Sequence, residues 1–426
     1  MPPISDHPLR YKLANELHAR PFPSLEAPCT AVFLAVKQPV NAVGRDRLKD
    51  LEHLCDLLDR HGAPHPQPGA THYSGQIGRH CLKWEQHTEF VTYTVFTPGL
   101  SARAFDPAEF EVFPEDWLEA IPGVRVTSTL IRVEERPTDK VMQGHLKDWF
   151  VPESLAVSDV LDGAAVIATD FRINPAGHMR MAAFVTKGTG ARRIGRIVQR
   201  MCEIETYKAM SMLGLSRVEA MSEPLGALER DLTGLMGQIS RGDAAPEVTL
   251  EPLLQISAEL ESMIAESAFR FGATGAYETI VHQRIKVMRE ERYNGRQTFS
   301  EFMMRRYDPA MRTVASTQTR LGDLSQRSTR AGELLRTKVD VARSAQNQAL
   351  LESMDRRADQ ALRLQETVEG LSVVAISYYA VSLVSYAAYP LAKAAGLGKG
   401  ELTALVTLPV VAAVWWMVRR IRAKMH

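Results

Sequence analysis

Proline is missing where the chain is longest without interruption: after Pro309 none occurs until Pro390. A proline ring breaks a helix by removing an N–H and clashing with the preceding turn. Its absence lets Ala310–Ala392 run as one helix, because the isolated Gly322, Gly332 and Gly370 each cost only about 1 kcal/mol. Charge is missing too, over Leu371–Ala392 (LSVVAISYYAVSLVSYAAYPLA). Cysteine is scarce. Cys29, Cys55, Cys81 and Cys202 are scattered without CxxC spacing, which fits reduced cytosolic thiols and offers no zinc site. The stretch MPPISDHPLRYKLANELHARP lacks the apolar core of a signal peptide, so no cleaved leader is expected. HExxH, GxSxG and the kinase set are absent, which argues against the familiar hydrolases and kinases and leaves no catalytic residue to nominate. Acidic and basic residues nearly balance at a formal net charge of +1, so nothing global points to nucleic acid.

What is present is concentrated at the C-terminal end. The uncharged Leu371–Ala392 is long enough to cross roughly 30 Å of hydrocarbon at about 1.5 Å per residue. A short loop follows, then Leu402–Val418 (LTALVTLPVVAAVWWMV), also apolar. Trp415 and Trp416 stand just inside Arg419, Arg420, Arg422 and Lys424. Aromatic residues at headgroup level with basic residues beyond them mark a cytoplasmic face. Two transmembrane helices, a lipid bilayer as partner and cytoplasmic termini are the expectation. A buried hairpin of a water-soluble protein is the alternative.

Residues 1–190 read as an α+β domain on the cytosolic side. Strands are expected at Thr30–Val36, Ile77–Trp84, Phe90–Phe96, Val124–Val133, Ala164–Arg172 and Met179–Thr186, with a turn at Asn174–Gly177. Ile77–Trp84 and Phe90–Phe96 should pair antiparallel. Helices are expected at Arg45–Leu58 and Pro114–Ala120. Residues 191–370 read as a bundle of long antiparallel helices and a stalk. The first helix begins near Arg192 and is interrupted at Pro224 and Gly226. A turn at Arg241–Pro246 precedes a second helix over about Pro252–Tyr293, ended by Asn294-Gly295. Thr298 with Glu301 forms a capping box for a third helix, which Asp308-Pro309 can kink. Leu321, Leu324, Ala331, Leu335, Ala342, Ala345 and Ala349 keep a 3.5-residue spacing, so the stalk can pack on the preceding helices or on copies of itself. Residues 371–418 form the hairpin and 419–426 a basic tail.

Four groups of residues are candidates for function. Glu16, His18 and Arg20 precede the rigid Pro21-Phe22-Pro23; they can line a site, or the arm can simply dock through Phe22 and the prolines. Lys187, Gly188, Gly190, Arg192, Arg193 and Arg196 join a strand to a helix. Glycines there expose N–H groups at a positive helix end and favour an anion, although the spacing is neither GxGxxG nor GxxxxGK[ST] and the strand before it looks antiparallel. His61, His65, His72, His80 and His87 crowd one region without a helical HxxxH pair, so no metal is assigned. Tyr378, Ser382, Ser385 and Tyr389 share one face of the first apolar helix and should face another helix or water. No cofactor is implied.

The segments YKLANELHARPFPSLEAP and GRIVQRMCEIETYKAM, with the two apolar C-terminal helices, resemble the bacterial membrane-anchored family called domain of unknown function 3422. The resemblance implies anchoring in the inner (cytoplasmic) membrane and brings no activity or ligand with it. The layout also resembles CorA-type magnesium transporters, which are pentamers. Their Gly-Met-Asn signature is missing, since this chain reads Tyr389-Pro390-Leu391-Ala392 there. Two functions follow: a membrane-anchored binding or scaffold protein, or an oligomeric ion channel gated by its cytosolic domain.

Overall fold

The structure is a computed structural model that describes residues 4–16, 21–241 and 246–425. It divides into two compact units, Met1–Asp243 with Glu251–Ala331, and Ala244–Leu250 with Gly332–His426. Helix α1 spans Arg10–Glu16. The first unit is then built on one nine-stranded sheet.

Strand β1 (Cys29–Lys37) is buried along its whole length, with Ala31, Phe33 and Ala35 on one face and Val32, Leu34 and Val36 on the other. A strand covered on both faces reads as a continuous apolar run. Helix α2 (Arg47–Arg60) starts at Asp46, whose carboxylate accepts from the Leu48 N–H. Strands β2 (His72–Ile77), β3 (His80–Gln86) and β4 (Val91–Pro98) form a meander. The strand expected over Ile77–Trp84 begins only at His80, as β3, because Gly78 at φ +59 turns the chain back from β2, a strand not foreseen. The pairing of the Leu82 strand with the Val95 strand is antiparallel, as expected.

Helix α3 (Glu115–Glu119), strand β5 (Val124–Glu135) and helix α4 (Asp139–Trp149) come next. Strands β6 (Ala156–Val160), β7 (Ala165–Ile173) and β8 (Met179–Val185) complete the main sheet. With the short strand β9 (Glu291–Arg292), the order is β2-β3-β4-β1-β5-β8-β7-β6-β9. Strand β8 is antiparallel to β7, as expected, but parallel to β5, which makes the sheet mixed.

Helix α5 (Ala191–Arg241) passes through Pro224 and Gly226 without a break, against the expectation from the sequence. An internal proline costs about 3 kcal/mol. The buried Met221, Leu225, Leu228 and Leu232 on either side pack both halves into one core, and this offsets the lost bond. The expected turn at Arg241–Pro246 lies mostly outside the described residues. Helix α6 spans Pro246–Met288, shorter at its end than expected, because Glu291–Arg292 leave it as strand β9 and pair with β6. Helix α7 (Phe299–Arg306) begins at the Thr298–Glu301 capping box. Helix α8 (Asp308–Ala394) follows Tyr307 and is continuous through Gly322, Gly332 and Gly370, as expected from the proline-free stretch between Pro309 and Pro390, and it runs on through Pro390 as well. Helix α9 (Lys399–Met425) ends the chain.

The sheet is the middle layer of the first unit. On one face lie Leu54, Leu57 and Leu58 of α2, Trp117 of α3, and Met142 and Leu146 of α4. On the other lie Ile194, Ile197, Val198 and Met201 of α5, Val281 and Ile285 of α6, and Met311 of α8. The long helices alternate in direction. Along α5 and α6 the partners run in opposite senses, from Glu203 with Arg284 to Arg217 with Glu266. Along α6 and α8, Ser257 meets Ser328 at 2.6 Å and Glu261 meets Ser325 at 2.6 Å, again antiparallel. Gly214 is needed where α5 and α6 cross, since a Cβ there would lie 2.3 Å from Thr274 Oγ1.

Candidate functional site

Where α5 leaves the sheet, a half-open cleft of about 230 Å³ lies between β3, β4 and the helix. Its polar floor is a chain of alternating partners. The Lys83 ammonium lies 3.2 Å from Glu85 and donates to Gln199 Oε1 at 2.7 Å. The Gln199 amide donates to Glu203 Oε1 at 2.8 Å, and the Arg284 guanidinium of α6 donates to Glu203 Oε2. The apolar wall is aromatic: Phe22, Phe33, Phe90 and Phe96, with Tyr207 beside them. His87 stacks on Phe90 at 4.3 Å. Residues 199, 202, 203, 206 and 207 recur at helical spacing, which is why one face of α5 supplies so much of the lining.

The rest of the cleft is not set up for nucleophilic chemistry. Burial raises the pKa of the Cys202 thiol far above its ordinary 9.0, so it stays protonated. The thiolate is the reactive form. Burial likewise pushes Cys29 up to about 12. What the arrangement offers is recognition: donors and acceptors in a fixed row against an aromatic wall.

Near this cleft the sheet is fastened to α6 through a buried charge. Glu89, fully enclosed, accepts from Arg270 Nη1 at 3.1 Å and from the Tyr277 hydroxyl at 2.8 Å, with Lys37 Nζ at 3.9 Å. Burial, followed by the neighbouring Arg270, lowers the Lys37 pKa below its ordinary 10.5. Burial and then the Glu89 charge raise that of Tyr277. Neither this clasp nor the Lys83–Arg284 row carries a sequence motif, because the members come from distant elements.

The residues singled out from the sequence are dispersed. Glu16 ends α1; its side chain, His18 and Arg20 lie outside the described residues. The adjoining Pro-Phe-Pro segment is docked on α5. The Leu25 N–H donates to the Ala191 carbonyl at 3.1 Å, and the Arg196 guanidinium lies 5.9 Å from the Phe22 ring centre. A Cβ on Gly195 would fall 1.8 Å from the Pro23 carbonyl oxygen, so only glycine permits this approach.

Six positions mark the anion candidate. Gly188 turns the chain at φ +89, and the Gly190 carbonyl accepts from the Arg193 and Ile194 N–H groups at 2.8 and 3.2 Å. Arg193 is committed to the Leu161 carbonyl and, at 3.7 Å, to Asp162, while Arg196 lies over Phe22. Lys187 and Arg192 are exposed. Arg193 and Arg196 thus turn to separate partners.

Three of the five histidines have separate surroundings. His65 meets Asp59 at 2.6 Å and His80 meets Thr97 at 2.7 Å, while His87 joins the cleft wall.

Three residues of the polar stripe, Tyr378, Ser382 and Ser385, line a groove between α8 and α9 together with Ser377, Val381, Thr403, Thr407 and Val411. Tyr378 is nonetheless 71% exposed, and the Ser382 hydroxyl donates to the Tyr378 carbonyl at 2.9 Å. The Ser377 and Ser385 hydroxyl oxygens are buried in the groove without a hydrogen-bond partner. Tyr389 is 37% exposed.

Fold and site together define a class: a mixed α/β sheet domain with a three-helix bundle, followed by two helices long and apolar enough to cross a membrane. The family model "Protein of unknown function (DUF3422)" matches residues 5–425, and the chain belongs to that family. No curated protein and no solved structure matches it.

Proposed function

We propose that the chain is a membrane-anchored protein in which the end of α8 and α9 form a transmembrane tether for a large cytosolic binding or scaffold region. The observation that carries this reading is apolar surface left uncovered. Leu371, Val374, Leu383 and Leu391 on α8 are 67–77% exposed, and Leu405 and Leu408 on α9 are 72% and 80% exposed. The most apolar windows of the two helices are only 6% and 11% buried. A core helix of a water-soluble protein hides such residues; contiguous apolar surface on this scale marks a membrane or a partner. Burying a leucine side chain stabilises by about 1.5–3 kcal/mol, so several together strongly favour hydrocarbon over water.

The far end of α9 supports the topology. Arg419 and Arg420 lie 5.1 Å over the rings of Trp415 and Trp416, the pairing of an interfacial belt with basic residues outside it. The tether has its two termini in the cytoplasm and sits in the inner membrane. The cleft bounded by Lys83, Gln199, Glu203 and Phe22 is the binding surface that the tether presents.

Flotation of the expressed chain with lipid vesicles tests the anchor. The full chain floats and resists alkaline carbonate, whereas a chain ending before Leu371 stays at the bottom. Recovery of the full chain as a soluble species after carbonate would end the reading.

A further inference from the structure

Among the described residues of α8 from Arg336 to Ile376 none is buried. Yet this stretch carries a regular seam. Leu350, Met354, Ala361, Leu364, Val368 and Leu371 follow one another at the alternating four- and three-residue steps of a heptad, with Arg357 at the remaining position. The leucines, Met354 and Val368 of this seam are 54–67% exposed. We infer that this seam is a parallel, in-register contact between copies of this chain.

Charge distribution selects a second copy as the occupant. In a parallel coiled coil, the positions flanking the seam on one helix face their counterparts on the other, and like charges there repel. Here those positions are Leu351, Ser353, Ala358, Gln360, Gln365 and Thr367, all uncharged. Glu352, Asp359 and Glu366 recur at every seventh residue on the opposite face, with Asp355, Arg356 and Arg363 beside them. Self-pairing thus leaves the charges in water and brings no like-charged flanks together, apart from Arg357 in the seam itself. A partner recognised through flanking salt bridges would find none to make.

The seam also stays in phase into the apolar segment. Continuing the same steps gives Ala375, and then Tyr378, Ser382 and Ser385, which line the groove against α9, so the seam between copies ends near Ala375. Parallel alignment rests on the tether reading: chains held in one bilayer share orientation and depth, which raises their effective concentration. The hydrophobic steps and neutral flanks do not depend on it.

Single cysteines at Leu364, Val368 and, as the control, Glu366 test the seam in the full chain in native membranes, or in the soluble fraction if the chain does not float. The unmodified chain, with Cys55 and Cys81 half-exposed, sets the background. Oxidation should link the Leu364 and Val368 variants at least tenfold more than Glu366. Leu364→Asp combined with a cysteine at Val368 should abolish the link, and Arg357→Leu should increase association. Equal linking at all three positions, or no link above background, would overturn the seam. A soluble chain that still links at Leu364 and Val368 would refute the tether and leave the seam standing.

Discussion

The same residue types have opposite fates in the two units. Leu54, Leu57 and Leu58 of α2 are fully buried beneath the sheet, whereas Leu383 and Leu405 near the C-terminal end are 69% and 72% exposed. Charge shows the complementary contrast. Glu89 is fully enclosed by Arg270, Tyr277 and Lys37, and Arg419 and Arg420 lie beside tryptophan rings at the end of α9. The first unit buries an apolar core on both faces of its sheet and encloses the Glu89 charge among its own partners. The second leaves apolar groups exposed, and that difference separates the two units more clearly than either helix length or composition.

The largest effect should come from breaking the enclosed charge cluster. Glu89→Ala leaves Arg270 and Lys37 without their carboxylate in a dry site, and removing one member of such a buried pair costs about 3–5 kcal/mol. The urea midpoint should fall accordingly, while Arg419→Ala should change it by no more than about 0.5 kcal/mol. A Glu89→Ala loss as small as that of Arg419→Ala would mean that the clasp is not a structural charge cluster.

The apolar half of the comparison predicts a somewhat smaller contrast. Leu54→Ala opens a cavity in the layer beneath the sheet and should cost about 2–5 kcal/mol in denaturation. Leu405→Ala should leave that denaturation unchanged and alter only membrane partition, by less than about 1 kcal/mol per leucine. Destabilisation of the sheet unit by Leu405→Ala would show that the contrast between the units is false.

What could be read from the sequence follows the same division. Strands buried on both faces, such as β1 with its unbroken TAVFLAV, stand out because nothing polar interrupts them. The edge strand β2, HYSGQI, mixes polar and half-exposed residues, and β6, AVSDV, is only five residues long; neither has a period long enough to register. Helix α4 did carry a signal, since Met142 and Leu146 are four residues apart after Thr138 and Asp139, and both are buried. Pro224 misled because the local rule is overridden by packing on either side. Of the cleft, Gln199, Cys202, Glu203, Thr206 and Tyr207 share one helix and Thr92, Thr94 and Phe96 one strand, and these spacings are those of any amphipathic helix or strand face. Lys83 and Arg284 join them only through the fold, as Glu89 joins Arg270.

The smallest expected effect concerns a histidine that the sheet unit keeps neutral. His53 is packed on Trp117 at 4.0 Å, between the Trp117 carbonyl 2.9 Å from Nε2 and the Tyr93 hydroxyl 3.0 Å from Nδ1. The carbonyl can only accept, so Nε2 carries the hydrogen and neutral Nδ1 accepts from Tyr93. Burial lowers the His53 pKa below 6.5, outweighing the raising effects of the Trp117 carbonyl and of Asp56 and Asp50. Above 6.5 the ring is neutral folded or unfolded, and its contribution to stability is complete. As pH falls below that value the unfolded chain takes up a proton that the folded chain resists, so stability is lost until the folded pKa is passed. His53→Gln cannot take up that proton. It should be less stable than the parent at about pH 7.5, through lost packing, and the gap should narrow by about pH 5. His80 and His178, whose pKa values burial also lowers, are present in both proteins and cancel in the difference. Urea midpoints for the two proteins at the two pH values decide the matter: a gap that stays constant would show that His53 titrates alike in the folded and unfolded chains, and that burial in this layer imposes no penalty on its charge.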